Sequence, residues 1–292
     1  MIPVRSFLFV PGNKESWIEK SINSGADALI LDLEDSVPHA QKIEARGIVA
    51  GRLKWVVEQG QRVWVRINRT PHLYDFEDIL AVVQPGLEGI FISKPCGPED
   101  VHVASQMLAE AEMRNGLPNG SIHVIPLLES ARSMQLAYEI AQHPRVSAIV
   151  GSTAKNADVA RALGFVWSPE GRETLYFKSR VVMAARAAGK LAIGGVWQQV
   201  KDLEGLKASS QADRQLGMNG ELALHPTNVE IINDVYSPTE DEVAFYKGMI
   251  DALDEAMANG RASVIYDGEH IDIAHVKTAR EIIELARLYG RA

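Results

Sequence analysis

Short apolar runs in this 292-residue chain end, one after another, in residues able to do chemistry. Pro11-Gly12-Asn13-Lys14 follows the first, Asp32 with Glu34 and Asp35 the second, and Arg66 with Asn68 the third. Lys94, Glu129, Gly151-Ser152, Trp197 and His225-Pro226 follow the next five. If the runs are strands of a parallel barrel, these groups converge on the face where such barrels carry their active sites. Arg66 buried at that mouth needs a carboxylate partner. Glu129, placed directly after residues 124–128, needs Arg66 or a cation, because a lone buried carboxylate is costly. Asp158 lies in Ala157-Asp158-Val159-Ala160, where a short helix or loop returns it toward Glu129. Two carboxylates completed by water and substrate oxygens suit Mg2+, and no His- or Cys-rich pattern with zinc spacing is present. Plainer readings stand beside these: Asp35 as an acid at a helix start, Arg66 as a solvated strand-end cation.

Eight runs of strand length do the positioning: residues 6–10, 28–33, 63–67, 89–93, 123–128, 148–151, 191–196 and 221–224. Most are apolar throughout rather than alternating, as strands covered on both faces are. Amphipathic segments at 40–59, 98–115, 130–143 and 170–188 carry apolar residues at three- and four-residue spacing. Length alone allows two domains. A strand-then-helix unit repeated eight times fits a closed (β/α)8 TIM barrel over residues 1–236 better than an open doubly wound sheet. Beyond it, Ser237 as N-cap, Pro238 at the first helical position and Glu240 in a capping box predict a helix to Asn259. A turn at Asp267-Gly268 then leads to a last helix over 273–288, so residues 237–292 form a C-terminal helical extension.

Composition narrows the partners. With 46% hydrophobic and 23% charged residues the chain can bury a full core. Thirty Lys and Arg against 38 Asp and Glu give a formal charge of −8 without long blocks of either sign. That argues against nucleic acid or membrane as the main partner, and leaves room for a local basic pocket for an anionic metabolite. Cys96 is the only cysteine, which rules out an intrachain disulfide and a Cys-rich metal site and fits a reducing, cytoplasmic setting. No apolar run approaches the roughly 20 residues a bilayer requires, and no export segment is expected at the start.

The motifs Leu8-Phe9-Val10-Pro11-Gly12, Leu31-Asp32-Leu33-Glu34-Asp35-Ser36-Val37, Val65-Arg66-Ile67-Asn68, Leu127-Leu128-Glu129-Ser130 and Leu224-His225-Pro226 resemble the citrate lyase beta-subunit-like family of the HpcH/HpaI aldolase superfamily. The similarity runs in order over nearly the whole chain. It implies a homo-oligomeric barrel, a trimer or hexamer, and a Mg2+-dependent carbon–carbon lyase, with Mn2+ as a possible substitute. The implied substrate is a 3-hydroxyacyl-CoA thioester of the malyl- or citramalyl-CoA type, cleaved to acetyl-CoA and a 2-oxoacid. Under the resemblance, Glu129 and Asp158 are the metal carboxylates and, with Gly151, border the substrate. Arg66 holds the oxo or hydroxy acid, with Glu34 beside it among the catalytic groups. Lys14, Lys42, Arg46 and Pro226 are the implied contacts to CoA. Cleavage builds negative charge on the thioester oxygen while the hydroxyl loses its proton, which is why a metal and a guanidinium are wanted there.

The tail carries its own resemblance. His270-Ile271-Asp272 before a helix is similar to the C-terminal element of malyl- and citramalyl-CoA lyases. This implies Asp272 as an acid/base group reaching a neighbouring subunit's site; the alternative is Asp272 as the N-cap of the last helix. Ser152-Thr153-Ala154-Lys155-Asn156 lengthens a connection that is short in the family, and is expected to reshape acid specificity or redirect the chemistry to thioester hydrolysis or condensation. Two further readings stay open. One is a class II pyruvate aldolase acting on a free hydroxy-oxo acid, with Asp272 structural. The other is a non-catalytic subunit that senses CoA esters.

Overall fold

Strands apolar along their whole length must be covered on both faces. In the computed structural model, which describes residues 3–291, eight parallel strands meet that demand by rolling into a barrel. They are β1 (Ser6–Pro11), β2 (Ala28–Asp32), β3 (Arg62–Ile67), β4 (Leu87–Ile92), β5 (His123–Pro126), β6 (Ala148–Gly151), β7 (Leu191–Val196) and β8 (Gly220–Ala223). Their hydrogen-bonded order is β5-β4-β3-β2-β1-β8-β7-β6. Parallel bridges from Val124 to Val146 and from Leu127 to Val150 draw the two ends of that row together. The expected (β/α)8 barrel is the fold that forms, and each strand lies within two residues of its predicted bounds.

Successive side chains on a strand face opposite ways. Phe7, Ile30, Trp64, Phe91, Ile125, Val150, Ile193 and Leu222 share one interior cluster. Phe7, Trp64 and Phe91 meet edge to face there, with ring centroids 6.1, 5.4 and 5.7 Å apart. The residues between them, such as Leu29, Leu31, Val63, Val65 and Ile90, are fully buried as well. Counting two onward from the interior residues gives Asp32 after Ile30, Arg66 after Trp64 and Glu129 after Leu127. The parity that fills the core therefore also aims these three charges into the mouth.

Around the strands, the helix Lys42–Glu58 is preceded by a 3-10 turn His39–Gln41, and the helix Pro98–Arg114 matches its prediction to within a residue. The helix expected over 130–143 is instead two short ones, Ala131–Gln135 and Ala137–Ala141, and the one expected from 170 begins at Leu175 after a 3-10 turn. Glu15–Ser21, Phe76–Val82, Leu203–Leu216 and Pro226–Val235 form helices that periodicity did not single out. The first two have seven residues each, too few for a periodic pattern to stand out. Among the described residues no helix is long and apolar enough to cross a membrane.

The chain divides into two compact units between Asn233 and Asp234. The second holds the helix Glu240–Ala258, a hairpin of β9 (Val264–Tyr266) and β10 (Glu269–Ile271), and the helix Ile273–Leu288. Thr239, not Ser237, caps the first helix. Its side chain accepts from the Glu242 N–H at 3.1 Å, and Glu242 reaches back to the Thr239 N–H at 2.7 Å. The hairpin turns through Asp267 and Gly268 with φ of 48° and 81°, the double left-handed pair that suits a tight two-residue turn. Its three-residue strands are too short to read from alternation.

Gly89 on β4 makes room for the interior aromatic cluster. A Cβ there would fall 2.2 Å from a ring carbon of Trp64 and 2.5 Å from the His123 carbonyl oxygen. Gly89→Ala should lower stability in urea unfolding by about 2 kcal/mol. Gly51→Ala, on a helix position where a Cβ meets nothing, should leave it unchanged or slightly higher. Equal midpoints for the two variants would show that β3 and β4 do not pack this tightly.

Candidate active site

Asp32 and Arg66 face each other in register on β2 and β3. Arg66 Nε and Nη2 donate to Asp32 Oδ1 and Oδ2, both at 2.6 Å, and the guanidinium sits 4.7 Å from the Phe9 ring centroid. Nη1 remains and lies 3.1 Å from Glu34 Oε2. Burial disfavours both charges, but the pairing outweighs it: the Asp32 carboxyl is held below its usual range and the guanidinium above. Asp32 also accepts the N–H groups of Glu34 and Ser36, at 3.0 and 3.1 Å, so it shapes the loop that carries Glu34. Glu34 Oε1 in turn accepts from Ser93 Oγ at 2.7 Å and from Lys94 Nζ at 3.2 Å.

Lys94 Nζ lies 3.2 Å from Asp35 Oδ2 and 3.2 Å from Asp158 Oδ2. Asp158 opens the helix Asp158–Leu163, where the helix dipole favours an acid, and it is also paired with Arg161. Glu129 is left without a partner: its Oε2 is buried and receives no hydrogen bond, and Glu34 Oε2, likewise buried without one, has only the ion pair to Arg66. Burial and then the Glu34 charge push its carboxyl up to about 7, with Asp158 adding to the rise and Arg66 and Lys94 not cancelling it. Five carboxylates, Asp32, Glu34, Asp35, Glu129 and Asp158, thus gather around two inner cations, Arg66 and Lys94. The orphaned Glu129 oxygen and this excess of acid fit a divalent cation. Among the described residues no three His, Cys, Asp or Glu side chains are grouped to hold a metal by themselves. Mg2+ does not require that, since it is held by one or two carboxylates with water and substrate completing its shell.

The other expected site residues fall into distinct places. Lys42 Nζ donates to the Leu33 and Glu34 carbonyls at 3.0 and 2.8 Å and to Asn68 Oδ1 at 2.5 Å. Arg46 pairs with Asp78 at 2.7 Å and Asp75 at 2.9 Å, and Asp78 accepts both amide groups of Asn68. Two of the three cations expected at CoA, Lys42 and Arg46, therefore spend their charge bracing the ends of β2 and β3. Lys14 is exposed just before the helix Glu15–Ser21. Pro226 begins the helix Pro226–Val235 and lines a largely apolar cavity of about 440 Å³ with Phe9, Trp17, Leu224 and His225. Gly151 faces away from the interior: a Cβ on it would meet Val181 at 3.0 Å, so only its backbone is on offer to a ligand. Asp272, in the second unit, caps the helix Ile273–Leu288, accepting from the Ala274 N–H at 2.9 Å. The His275 ring and that N–H hold its carboxyl below the usual range.

The sequence puts Lys94 at a strand end with no role attached, and does not pair Asp32 with Arg66. Strand parity was the available signal for Asp32. For Lys94 there was none, because its backbone leaves the strand with φ of 52°, in the left-handed region.

Over residues 5–226 the sequence matches the family HpcH/HpaI aldolase/citrate lyase. The chain belongs to that family. A (3S)-malyl-CoA thioesterase of Cereibacter sphaeroides is 34% identical over 285 residues, 97% of this chain and 95% of the relative. The citrate lyase subunit beta of Leuconostoc mesenteroides subsp. cremoris is 32% identical over 282 residues, 97% and 93% of the two chains. Among solved structures, CitE of Mycobacterium tuberculosis in complex with magnesium, acetoacetate and coenzyme A superposes with a TM-score of 0.78 at 22% identity, covering 98% of this chain and 99% of that one. A citrate lyase from Burkholderia xenovorans LB400 superposes with a TM-score of 0.84 at 18% identity, covering 100% and 94%. These two likenesses support the barrel. The sequence relatives make this an HpcH/HpaI family member of the CoA-related lyase kind.

The orphaned acid has a thermodynamic signature. Glu129 keeps its proton in the folded, metal-free protein up to pH about 7, whereas an ordinary glutamate loses it near 4.5. The folded state thus binds the extra proton between those values, and its stability falls as pH rises through that window. The difference between wild type and Glu129→Gln in metal-free thermal melts should reach up to roughly 3 kcal/mol across the window, less what water at the mouth screens. Parallel curves would show that protein groups already neutralise this carboxyl.

Proposed function

We propose that this chain is a Mg2+-dependent carbon–carbon lyase that cleaves a 3-hydroxyacyl-CoA thioester of the citramalyl- or malyl-CoA type into acetyl-CoA and a 2-oxoacid. The observation that carries the reading is the buried, unpartnered Glu129 oxygen beside Asp158 and Arg66 at the barrel mouth. Glu129 and Asp158 would hold the metal. Bound there, Mg2+ would polarise the oxygens of the acid it coordinates and orient them. Arg66, with Nε and Nη2 fixed by Asp32 and Nη1 3.1 Å from Glu34 Oε2, would use Nη1 to donate a charge-assisted hydrogen bond to the same acid. Glu34 is a positioning residue, held between Arg66, Ser93 and Lys94. The bond between the hydroxyl-bearing carbon and the carbon next to the thioester breaks, its electron pair passing to the acetyl unit, and the proton the hydroxyl gives up is the one the acetyl carbon takes. That transfer is assigned to Asp272 of a neighbouring copy in a homo-oligomer, which accepts the proton and then returns it. The cavity lined by Pro226, with Lys14 near its rim in sequence, is assigned to the CoA portion.

Thioester hydrolysis is the second reading, favoured by the 34% identity to a (3S)-malyl-CoA thioesterase over 97% of this chain. Incubation with citramalyl-CoA or malyl-CoA and Mg2+ separates the two. Cleavage gives acetyl-CoA with pyruvate or glyoxylate, and hydrolysis gives free CoA thiol with the intact hydroxy acid. No turnover of either thioester with Mg2+ would overturn both.

Glu129→Gln and Asp158→Asn should each cut metal-dependent turnover by about a hundredfold or more without unfolding the barrel. Retention of activity in both would remove the proposed site. Asp272→Asn isolates the remaining role, because Asn caps a helix as well as Asp does. Melting temperature and Mg2+ affinity should stay as in wild type while kcat drops by about a hundredfold or more. An unchanged kcat would leave Asp272 a helix cap alone.

A further inference from the structure

We infer that Lys94 is a tethered counter-ion for the acidic mouth, holding Glu34, Asp35 and Asp158 together in the metal-free protein and competing with the divalent cation for Asp158. The inference deepens the metal site proposed above and rests on it.

Three observations carry it. Lys94 Nζ lies 3.2 Å from each of three carboxylates, Glu34 Oε1, Asp35 Oδ2 and Asp158 Oδ2, which come from separate points of the chain. An ammonium with three donors can satisfy that arrangement where a neutral side chain cannot. Both oxygens of Asp158 are already engaged by the protein's own cations, Oδ2 by Lys94 and Oδ1 by Arg161. A metal ion bound to Asp158 must therefore share or displace one of them. Arg161 has a side chain 80% exposed, so water screens it; Lys94 is 34% exposed and is the stronger competitor. Finally, Lys94 is aimed inward from a backbone φ of 52°, which a non-glycine residue adopts at a cost. A glycine would take that conformation freely, but it would bring no charge to the mouth.

The direction of the effect on metal affinity discriminates this role from a structural one. If Lys94 merely held the acids in place, its loss would scatter them and weaken Mg2+ binding. If it is a counter-ion, its loss removes both a competitor and a like charge beside the dication, and binding tightens. Isothermal calorimetry with Mg2+ and thermal melts, on the full-length metal-free chain, read both. Lys94→Met should melt lower than wild type without metal, bind Mg2+ at least about tenfold more tightly, and gain more from added Mg2+ in melting temperature. Lys94→Arg, which keeps the charge, should stay close to wild type. Lys94→Gln serves the same comparison if the Met variant does not fold. Weaker or equal Mg2+ binding by the uncharged variants, with wild type binding normally, would overturn the counter-ion role and leave the metal site standing. Absence of Mg2+ binding in wild type and variants alike would overturn the metal site and this role with it.

Discussion

A bidentate ion pair sealed between neighbouring strands, Asp32 with Arg66, sets the order of everything else at the mouth. Asp32 is wholly buried, so removing either partner would strand a charge away from water, a loss on the order of 3–5 kcal/mol. The pair also has directional consequences. By occupying Nε and Nη2 it leaves Nη1 as the guanidinium's one remaining edge. By accepting the N–H groups of Glu34 and Ser36, Asp32 sets the path of the loop after β2, and so places Glu34 against that edge. Glu34 then takes Ser93 and Lys94 from the end of β4. Lys42, Arg46 and Asp78 brace the same loops from behind through Asn68. One contact in register between two strands thus passes its geometry by hydrogen bonds to Glu34 and Ser36, and through Glu34 to Ser93 and Lys94.

The barrel was legible because its strands are short, apolar and separated by polar turns, and because eight such units leave few topologies to consider. The charges on the mouth were legible for the same reason, as residues that break an apolar run. What could not be read was pairing. Asp32, Glu34 and Asp35 lie within four positions, and a sequence does not say that the first grips Arg66, the second lies between two cations and the third stays largely exposed. Lys42 and Arg46 were similarly opaque. A cation at the start of a helix near a strand end suits a phosphate as well as it suits a carboxylate, and here carbonyls, Asn68, Asp75 and Asp78 are the partners. Lys94 was hidden for a third reason: a left-handed backbone redirects the side chain off the alternation on which strand reading depends.

The tail shows how one residue type can serve two purposes that local pattern cannot separate. Asp before an apolar helix is the composition of an N-cap, and Asp272 does cap the helix Ile273–Leu288. Capping also fixes the carboxylate at an exposed helix end, which is where a group offered to another molecule would be held. The structural duty is therefore no argument against a chemical one. It lowers the basicity of the group, so any proton transfer by Asp272 must draw on proximity to the reacting carbon rather than on an elevated proton affinity.

Whether a family member cleaves a carbon–carbon bond or hydrolyses a thioester is decided over a few ångströms, not over the fold. Relatives named for each activity are 34% and 32% identical to this chain over almost its full length, so overall similarity does not separate them. Both reactions use a polarised oxygen and a fixed acid; cleavage delivers a proton to the acetyl carbon once the carbon–carbon bond has broken, whereas hydrolysis delivers a water molecule to the carbonyl of the intact hydroxyacyl thioester. Charge at this mouth is concentrated where the acid would lie, while Phe9, Leu224 and Pro226 line an apolar cavity beside it. A thioester arm held against such a surface excludes water from its carbonyl, and exclusion of water favours protonation of the acetyl carbon over hydrolysis. In the 152–156 segment the one cation, Lys155, lies 5.6 Å from the ring centroid of Trp167, where a cation–π contact engages it. Under the proposed function, the apolar side of the mouth, more than the acidic side, favours cleavage over hydrolysis.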